Sequence, residues 1–205
     1  MTTGTNTPGA TPDPHHSSLS NAVPGKTTEG ILDSERYYYR RVYVDAVRAI
    51  TAVAESVHVD PARIVVAGGS QGGGLALAAA SLSDVPVGAL IDVPFLCHFG
   101  RAITVSDRDP CREISRYLSV NRDHAERVLR TLSHVDGASL ASRATASALF
   151  SVALMDATCP PSTVYAAYNR YGGPKSMAVY PFNDHEGGQE FHQVEKYRWL
   201  ARLLR

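Results

Sequence analysis

A glycine-rich turn between an apolar run and a helix-forming run constrains the fold more than any other feature of this sequence. Residues 64–67 read Ile-Val-Val-Ala, which is typical of a strand buried on both faces. The turn Gly-Gly-Ser-Gln-Gly-Gly-Gly follows, and the next six residues, LALAAA, strongly favour a helix. Gly68, Ser70 and Gly72 fit the Gly-x-Ser-x-Gly nucleophile elbow, in which a sharp turn raises the serine hydroxyl above the edge of a sheet.

Other glycine-rich turns must be weighed against the elbow. A turn that only packs a strand against a helix remains open as an alternative, although the strand pattern before Ser70 and the helix pattern after it favour a nucleophile. A phosphate-binding P-loop is excluded because no Gly-Lys-Ser or Gly-Lys-Thr ending is present. A dinucleotide site is disfavoured because no Gly-x-Gly-x-x-Gly falls in register.

The rest of the chain alternates strand and helix patterns. Apolar runs at 87–93, 148–155 and 177–180 predict three further strands, with helices predicted at 37–57 and 160–171 and after Gly188. This alternation predicts an α/β fold with a mostly parallel sheet and flanking helices. Residues 95–145 are too long for one crossover and predict a helical insertion with helices at 109–118 and 122–132. The last helix is predicted to bury a face made of Phe191, Val194, Tyr197, Ala201 and Leu204.

Composition limits the domain organisation and the function classes. Residues 1–30 are rich in Thr, Pro, Gly and Ser and are predicted to be a polar loop or tail, whereas residues 31–205 are predicted to belong to one domain. The 20 Lys and Arg residues balance 20 Asp and Glu residues, so charge recruits neither nucleic acid nor a membrane. The aromatic cluster Tyr37–Tyr39 is accordingly interpreted as core, although Arg40 and Arg41 follow it.

Compartment and metal content follow from the cysteines and the N-terminus. Cys97, Cys111 and Cys159 form no Cys-x-x-Cys pair, which argues against a disulfide scaffold and a metal site and favours buried, inert thiols in a reducing compartment. The N-terminus lacks a signal-like apolar segment, and no apolar run is long enough to span a membrane. We therefore expect a cytoplasmic protein.

A serine nucleophile needs a base, and the base needs an acid group that fixes its tautomer. In α/β-hydrolases the chain order is serine, acid, histidine. Asp156 follows the strand at 148–155 and His185 lies beyond the last strand, so both are expected at the sheet edge that carries Ser70. Asp92 is a rival acid at the end of another strand. The histidines that compete with His185 are His15, His16, His58, His98, His124, His134 and His192.

The oxyanion of an acyl-transfer intermediate needs two hydrogen-bond donors. The backbone N–H of Gln71, the residue after the nucleophile, is predicted to supply one. The second normally comes from a loop well upstream of the elbow, and only one helix and the polar tail precede Ser70. That donor is therefore predicted to be missing.

Several segments resemble the acetyl xylan esterase / cephalosporin C deacetylase family of α/β-hydrolases, in the family's order: GGSQGGGLALAAA, DVPFLC, ALFSVALMDATCPPSTVYAAYN and YPFNDHEGG. The segment ILDSERYYYRRVYVDAVRAI is similar to the family's helix before the elbow. The resemblance implies that Ser70 is the nucleophile, Asp156 the acid and His185 the base. It also implies a cytoplasmic serine esterase, needing no cofactor, that assembles as a homo-hexamer. Its expected substrate is a small acetylated carbohydrate or antibiotic, namely a xylo-oligosaccharide or cephalosporin C.

The chain departs from the family's pattern in three respects. It lacks the family's N-terminal strands and oxyanion-hole loop, so it is interpreted as N-terminally truncated, with Met1 a truncated or misplaced start. His98 follows Cys97 where the family has an acidic residue, and Gly100 stands where an arginine is common. Without the early strands, the strand at 64–67 is expected to form an exposed apolar edge.

Two alternatives stay open at this point. The chain is either an active esterase or a catalytically impaired fragment, a half-domain that needs its missing N-terminal part. A different α/β-hydrolase, such as an oligopeptidase-like serine peptidase, would share the order of the three residues and the glycine-rich elbow.

Overall fold

The computed structural model describes residues 25–205, which contain one four-stranded parallel sheet. The strands are β1 (Val65–Gly69), β2 (Gly88–Asp92), β3 (Ser147–Ala153) and β4 (Lys175–Tyr180). They lie side by side in chain order, β1-β2-β3-β4, and every pairing is parallel. The predicted α/β fold and all four predicted strands are thereby confirmed. Residues 1–24 of the predicted polar tail lie outside the described residues.

Helices connect and cover the strands. Their bounds are α1 (Tyr38–Ala54), α2 (Gln71–Leu82), α3 (Phe99–Val105), α4 (Cys111–Val120), α5 (Ala125–Ser133), α6 (Gly137–Leu140), α7 (Pro161–Arg170) and α8 (Gln189–Leu203). The two helices predicted inside the insertion correspond to α4 and α5. Sequence periodicity did not predict α3 and α6 because they have only seven and four residues, too few to repeat a helical pattern.

The two faces of the sheet are covered by different helices. On one face, Ala89, Ile91 and Phe150 pack with residues of α2 and α7. On the other face α8 lies so close to β2 that a Cβ at Gly88 would come within 2.4 Å of the Leu203 side chain. Helices on both faces explain why the central strands β2 and β3 are almost entirely buried apolar sequence.

A second apolar cluster lies among the helices of the insertion and α1. Tyr37 and Tyr39 are fully buried there, and Tyr39 meets Phe95 edge to face. The hydroxyl of Tyr37 donates a hydrogen bond to the carbonyl of Thr27 at 3.0 Å, which satisfies its buried polar group and ties residues 25–30 to the domain. The interpretation of the tyrosine cluster as core is confirmed.

The predicted apolar face of the last helix is wrong. Phe191 is 83% exposed and Tyr197 is 69% exposed, whereas His192, at 4%, is buried. Helix α8 begins at Gln189. The face that it presents to the sheet is partly polar and carries His192, Trp199 and Leu203. Hydrophobic periodicity misplaces this face because the carboxylate of Asp92, at the end of β2, makes a polar side chain favourable there.

Both outer strands of the described sheet are half-exposed. β1 pairs only with β2, and β4 only with β3, among residues 25–205. The expectation that the strand before the elbow forms an edge is confirmed for this part of the chain. No helix within residues 25–205 is long and apolar enough to cross a membrane.

Candidate active site

Ser70 occupies a strained turn between β1 and α2. Its backbone has φ 56° and ψ −117°, an unusual conformation for a residue other than glycine. Two backbone hydrogen bonds of 2.9 Å hold the turn, one from Ser70 N–H to the carbonyl of Asp92 and one from Phe95 N–H to the carbonyl of Ser70. The strand–turn–helix context of a nucleophile elbow is therefore present.

The glycines around Ser70 have different roles. A Cβ at Gly68 would lie 2.2 Å from the carbonyl oxygen of Gly72, so the turn closes only when residue 68 has no side chain. A Cβ at Gly72 would meet nothing within 4 Å. The first glycine of the elbow is thus required by close backbone approach, and the second is not.

His185 lies in the loop between β4 and α8 and connects Ser70 to Asp156. Its Nε2 is 2.8 Å from Ser70 Oγ, and its Nδ1 is 2.9 Å from Asp156 Oδ2. Because a carboxylate only accepts hydrogen bonds, the Nδ1–H donates to Asp156 and Nε2 is left to accept from the serine hydroxyl. The structure brings together all three side chains that the sequence singled out.

The Asp156 carboxylate is buried and fixed in orientation. It lies in the loop after β3, and its Oδ1 accepts hydrogen bonds from the backbone N–H groups of Thr158 and Cys159, both at 2.8 Å. These two bonds leave Oδ2 facing His185. The hydrogen bond to Asp156 raises the pKa of His185 above its usual value, and this effect exceeds the opposing effect of burial.

Asp184 fixes the main chain of the histidine loop. Its Oδ1 accepts from the backbone N–H of His185 at 2.8 Å and of Ala157 at 3.3 Å, and its Oδ2 pairs with Arg108 at 2.8 Å. The hydrogen bond from Arg108 lowers the pKa of Asp184. Asp184 does not cap the last helix, because α8 starts after Gly188 with no side-chain cap.

The rival acid, Asp92, has other partners. Its carboxylate lies 2.7 Å from His192 Nε2 and 2.7 Å from Lys196 Nζ, both on α8. Sequence reasoning named Asp92 and His192 separately and missed their pairing. The available signal was that residues 192 and 196 are four apart and so share one side of a helix.

Gln71, predicted to supply an oxyanion donor, is the first residue of α2. Its backbone N–H group therefore lies next to Ser70 at the amino end of the helix, where the helix dipole favours negative charge. Its side-chain amide donates to the hydroxyl of Tyr39 at 3.1 Å.

One set of side chains near the nucleophile has metal-binding atoms. Asp156, Cys159 and His185 offer ligand atoms within 4.8 Å of one another, a donor set that zinc accepts. Asp156 and His185 already bind each other, and burial raises the pKa of the Cys159 thiol, which opposes the thiolate form that a metal requires. The geometry suits proton transfer from Ser70 through His185 better than metal binding. All three cysteines are buried and free, as predicted.

The chain is similar to several known proteins over most of its length. Residues 1–203 match the acetyl xylan esterase family. A curated relative, the acetyl esterase Axe7A of Xylanibacter ruminicola, is 27% identical over 184 residues. The acetyl xylan esterase from Paenibacillus sp. R4 superposes with a TM-score of 0.90 at 44% identity, and acetyl xylan esterase 1 from Thermoanaerobacterium sp. JW/SL YS485 superposes with a TM-score of 0.83 at 31% identity.

These matches cover most of this chain but only part of each relative. The alignments include 88%, 95% and 91% of this chain for the Xylanibacter, Paenibacillus and Thermoanaerobacterium proteins respectively. They span 40%, 62% and 60% of those proteins.

Proposed function

Because the chain belongs to the acetyl xylan esterase family, we propose that it carries the catalytic triad of a serine esterase that hydrolyses acetyl esters. The observation that carries this proposal is the continuous hydrogen-bonded path from Ser70 Oγ through the His185 ring to Asp156 Oδ2. The paired distances of 2.8 and 2.9 Å are those of a nucleophile, a base and an orienting acid in contact.

Each residue has a defined chemical role in this proposal. Ser70 Oγ attacks the acetyl carbonyl carbon while His185 Nε2 accepts the hydroxyl proton. The protonated His185 then gives that proton to the departing alcohol, and a water molecule, activated by His185 in the same way, releases acetate from Ser70. Asp156 holds the Nδ1–H tautomer and stabilises the cation, and the Gln71 N–H donates to the oxyanion.

The substrate proposal rests on the family. The similar proteins from Paenibacillus and Thermoanaerobacterium are named acetyl xylan esterases, which favours acetylated xylo-oligosaccharides as substrates of this chain. Cephalosporin C, which also carries an acetyl ester, is the second proposed substrate. The cytoplasmic location and the homo-oligomer stay predictions.

The main alternative is that residues beyond this chain are needed for activity. Loss of one oxyanion donor costs about 10²- to 10³-fold in kcat. A triad can therefore be assembled in a chain that turns over slowly, and the experiment must separate assembly from turnover.

Covalent labelling by a fluorophosphonate probe tests the proposal directly. The probe reacts with an activated serine, so we expect labelling of the purified chain that disappears in Ser70→Ala and is weak in His185→Gln. Hydrolysis of 4-nitrophenyl acetate, with longer acyl esters and a peptide substrate as comparisons, then tests the acetyl preference. A folded chain that is not labelled at Ser70 would overturn the proposal, and labelling with negligible turnover would favour the impaired fragment.

A further inference from the structure

A second polar network lies on the α8 side of the sheet, away from the His185–Asp156 pair. The Asp92 carboxylate pairs with His192 Nε2 and with Lys196 Nζ, each at 2.7 Å, and His192 Nδ1 is 2.9 Å from the hydroxyl of Tyr180. The side chain of His192 is 5% exposed, and those of Asp92 and Lys196 are each 14% exposed. The triad described above uses none of these four side chains.

The hydrogen-bond directions in this network are determined by chemistry. The carboxylate of Asp92 can only accept, so His192 Nε2–H donates to it. In the neutral ring, Nδ1 then accepts from the Tyr180 hydroxyl. The order is hydroxyl, imidazole, carboxylate, with Lys196 as a second donor to the same carboxylate.

Asp92 connects this network to the nucleophile through its main chain. Its carbonyl accepts the backbone N–H of Ser70 at 2.9 Å, and its Cα is the register partner of Gly69. The same residue therefore holds the elbow with its backbone and helix α8 with its side chain. A displacement of Asp92 would move both.

Tyr180 and His192 enclose the loop that carries His185. Tyr180 is the last residue of β4, His192 lies in the first turn of α8, and their side-chain bond joins the two ends of residues 181–191. Gly188 packs directly on the Tyr180 ring, where a Cβ would come within 2.1 Å of the ring carbons. The hydrogen bond and this packing therefore fix both ends of the loop that carries His185.

We propose that Asp92, His192 and Tyr180 are positioning residues that hold His185 in register with Ser70. The proposal rests on the proposed function, in which His185 is the base. The network does not touch the reacting atoms. It fixes both ends of the His185 loop to the strand end that also fixes the nucleophile.

Two conservative substitutions weaken the network without creating a large cavity. Tyr180→Phe removes only the hydroxyl, and His192→Gln keeps a donor for Asp92 but loses the path to Tyr180. Either change loosens the loop and weakens the His185–Asp156 bond, so the pKa of His185 falls toward its ordinary value. The other charged groups that face His185, namely Asp184 on its own loop and Arg108 before α4, are unchanged in both variants. We expect kcat to fall roughly tenfold with KM unchanged, because small misplacements of a catalytic group are costly.

Tyr171→Phe is the matched control. The Tyr171 hydroxyl is buried, whereas that of Tyr180 is partly buried. The Tyr171 hydroxyl donates to the backbone carbonyl of Ala146 at 3.0 Å, just before the amino end of β3. This variant loses a tyrosine hydrogen bond beside the amino end of β3, at the opposite end of the sheet from the elbow. A purely structural effect would lower the melting temperature in Tyr171→Phe and Tyr180→Phe alike.

Titration of the His185 ring by NMR, in the wild-type chain and the three variants, tests the positioning role. The His185 signal is assigned by its absence in His185→Gln. The proposal expects a lower pKa of His185 in Tyr180→Phe and His192→Gln, and the wild-type value in Tyr171→Phe. An unchanged pKa in Tyr180→Phe and His192→Gln would overturn it. The titration needs no turnover, so a wild-type chain that fails to label at Ser70 would refute the proposed function while the titration still decides the positioning role.

Discussion

Replacing Asp156 with asparagine is the sharpest test of the proposed chemistry. The carboxylate makes three hydrogen bonds, two from backbone N–H groups to Oδ1 and one from His185 to Oδ2. An asparagine keeps the first two only if its carbonyl oxygen takes the place of Oδ1, because a flipped amide would point its own N–H group at two buried donors. The backbone therefore determines the amide orientation, with the NH₂ group facing His185 Nδ1.

This orientation reverses the tautomer of the base. A facing NH₂ donor requires Nδ1 to accept, so the ring proton moves to Nε2 and points at Ser70. His185 can then no longer accept the serine proton. Loss of the correct tautomer costs serine hydrolases about 10⁴-fold in kcat, or about 5.4 kcal/mol of transition-state stabilisation.

The assay is hydrolysis of 4-nitrophenyl acetate, with the rate of fluorophosphonate labelling as a second measure of serine activation. Asp92→Asn is the comparison variant, and its expected loss is only about tenfold because Asp92 acts by positioning. A kcat for Asp156→Asn within tenfold of wild type, in a chain with an unchanged circular dichroism spectrum, would refute the assignment of Asp156. A larger loss in Asp92→Asn than in Asp156→Asn would transfer the acid role to Asp92.

Three further predictions concern pH and stability. The logarithm of kcat/KM should fall as pH is lowered, with a midpoint above about pH 6.5, because Asp156 raises the pKa of His185 and only the neutral ring accepts a proton. The same raised pKa stabilises the folded state below about pH 6.5, and this contribution should be lost as pH rises through the pKa of His185, as urea unfolding at several pH values would measure. Gly68→Ala places a Cβ 2.2 Å from the Gly72 carbonyl oxygen and should destabilise the fold by about 3 kcal/mol or prevent folding. Gly72→Ala, whose Cβ meets nothing within 4 Å, should be tolerated or add about 0.5–1 kcal/mol of stability, and equal unfolding midpoints for the two variants would contradict this reasoning. Phe150→Ala removes a fully buried ring from the centre of β3 and should cost about 3–5 kcal/mol in urea unfolding, and a loss below 1 kcal/mol would show that the core rearranges around the gap.

Much of the fold could be predicted because its main signals are local. The central strands are buried on both faces, so β2 and β3 are continuous apolar runs that stand out in the sequence. Parallel strands also place their carboxyl ends at one edge. This rule was enough to bring Ser70, Asp156 and His185 together from their positions along the chain, and the structure places them in hydrogen-bond contact.

The errors arise where a polar contact determines the packing. Helix α8 presents His192 to the sheet and leaves Phe191 exposed, because the end of β2 carries a carboxylate there. A hydrophobic pattern treats the histidine as a surface residue. The pairing depends on a residue 100 positions earlier, which no local window contains.

The backbone contacts of the elbow are a second feature that the sequence does not predict. The sequence motif treats Gly68 and Gly72 as equivalent, whereas only Gly68 faces another backbone segment. That difference depends on which backbone segments approach each other in the folded turn, and the motif alone does not specify it. The pairing of Asp184 with Arg108 is likewise not visible in a local window, because Arg108 lies 76 residues earlier.

The order of the strands has a consequence for the time at which activity appears during folding. Each strand lies beside its neighbour in sequence, so the sheet can grow one strand–helix unit at a time. Because every pairing is parallel and joins strands separated by a helix or by the insertion, these closures are non-local and slow compared with helix formation. Ser70 directly follows the first of these strands and His185 follows the last, 115 residues later. The two residues meet only when the final unit has docked. Recovery of probe labelling after dilution from denaturant should therefore lag behind recovery of the helical circular dichroism signal, and labelling would report the last step of assembly.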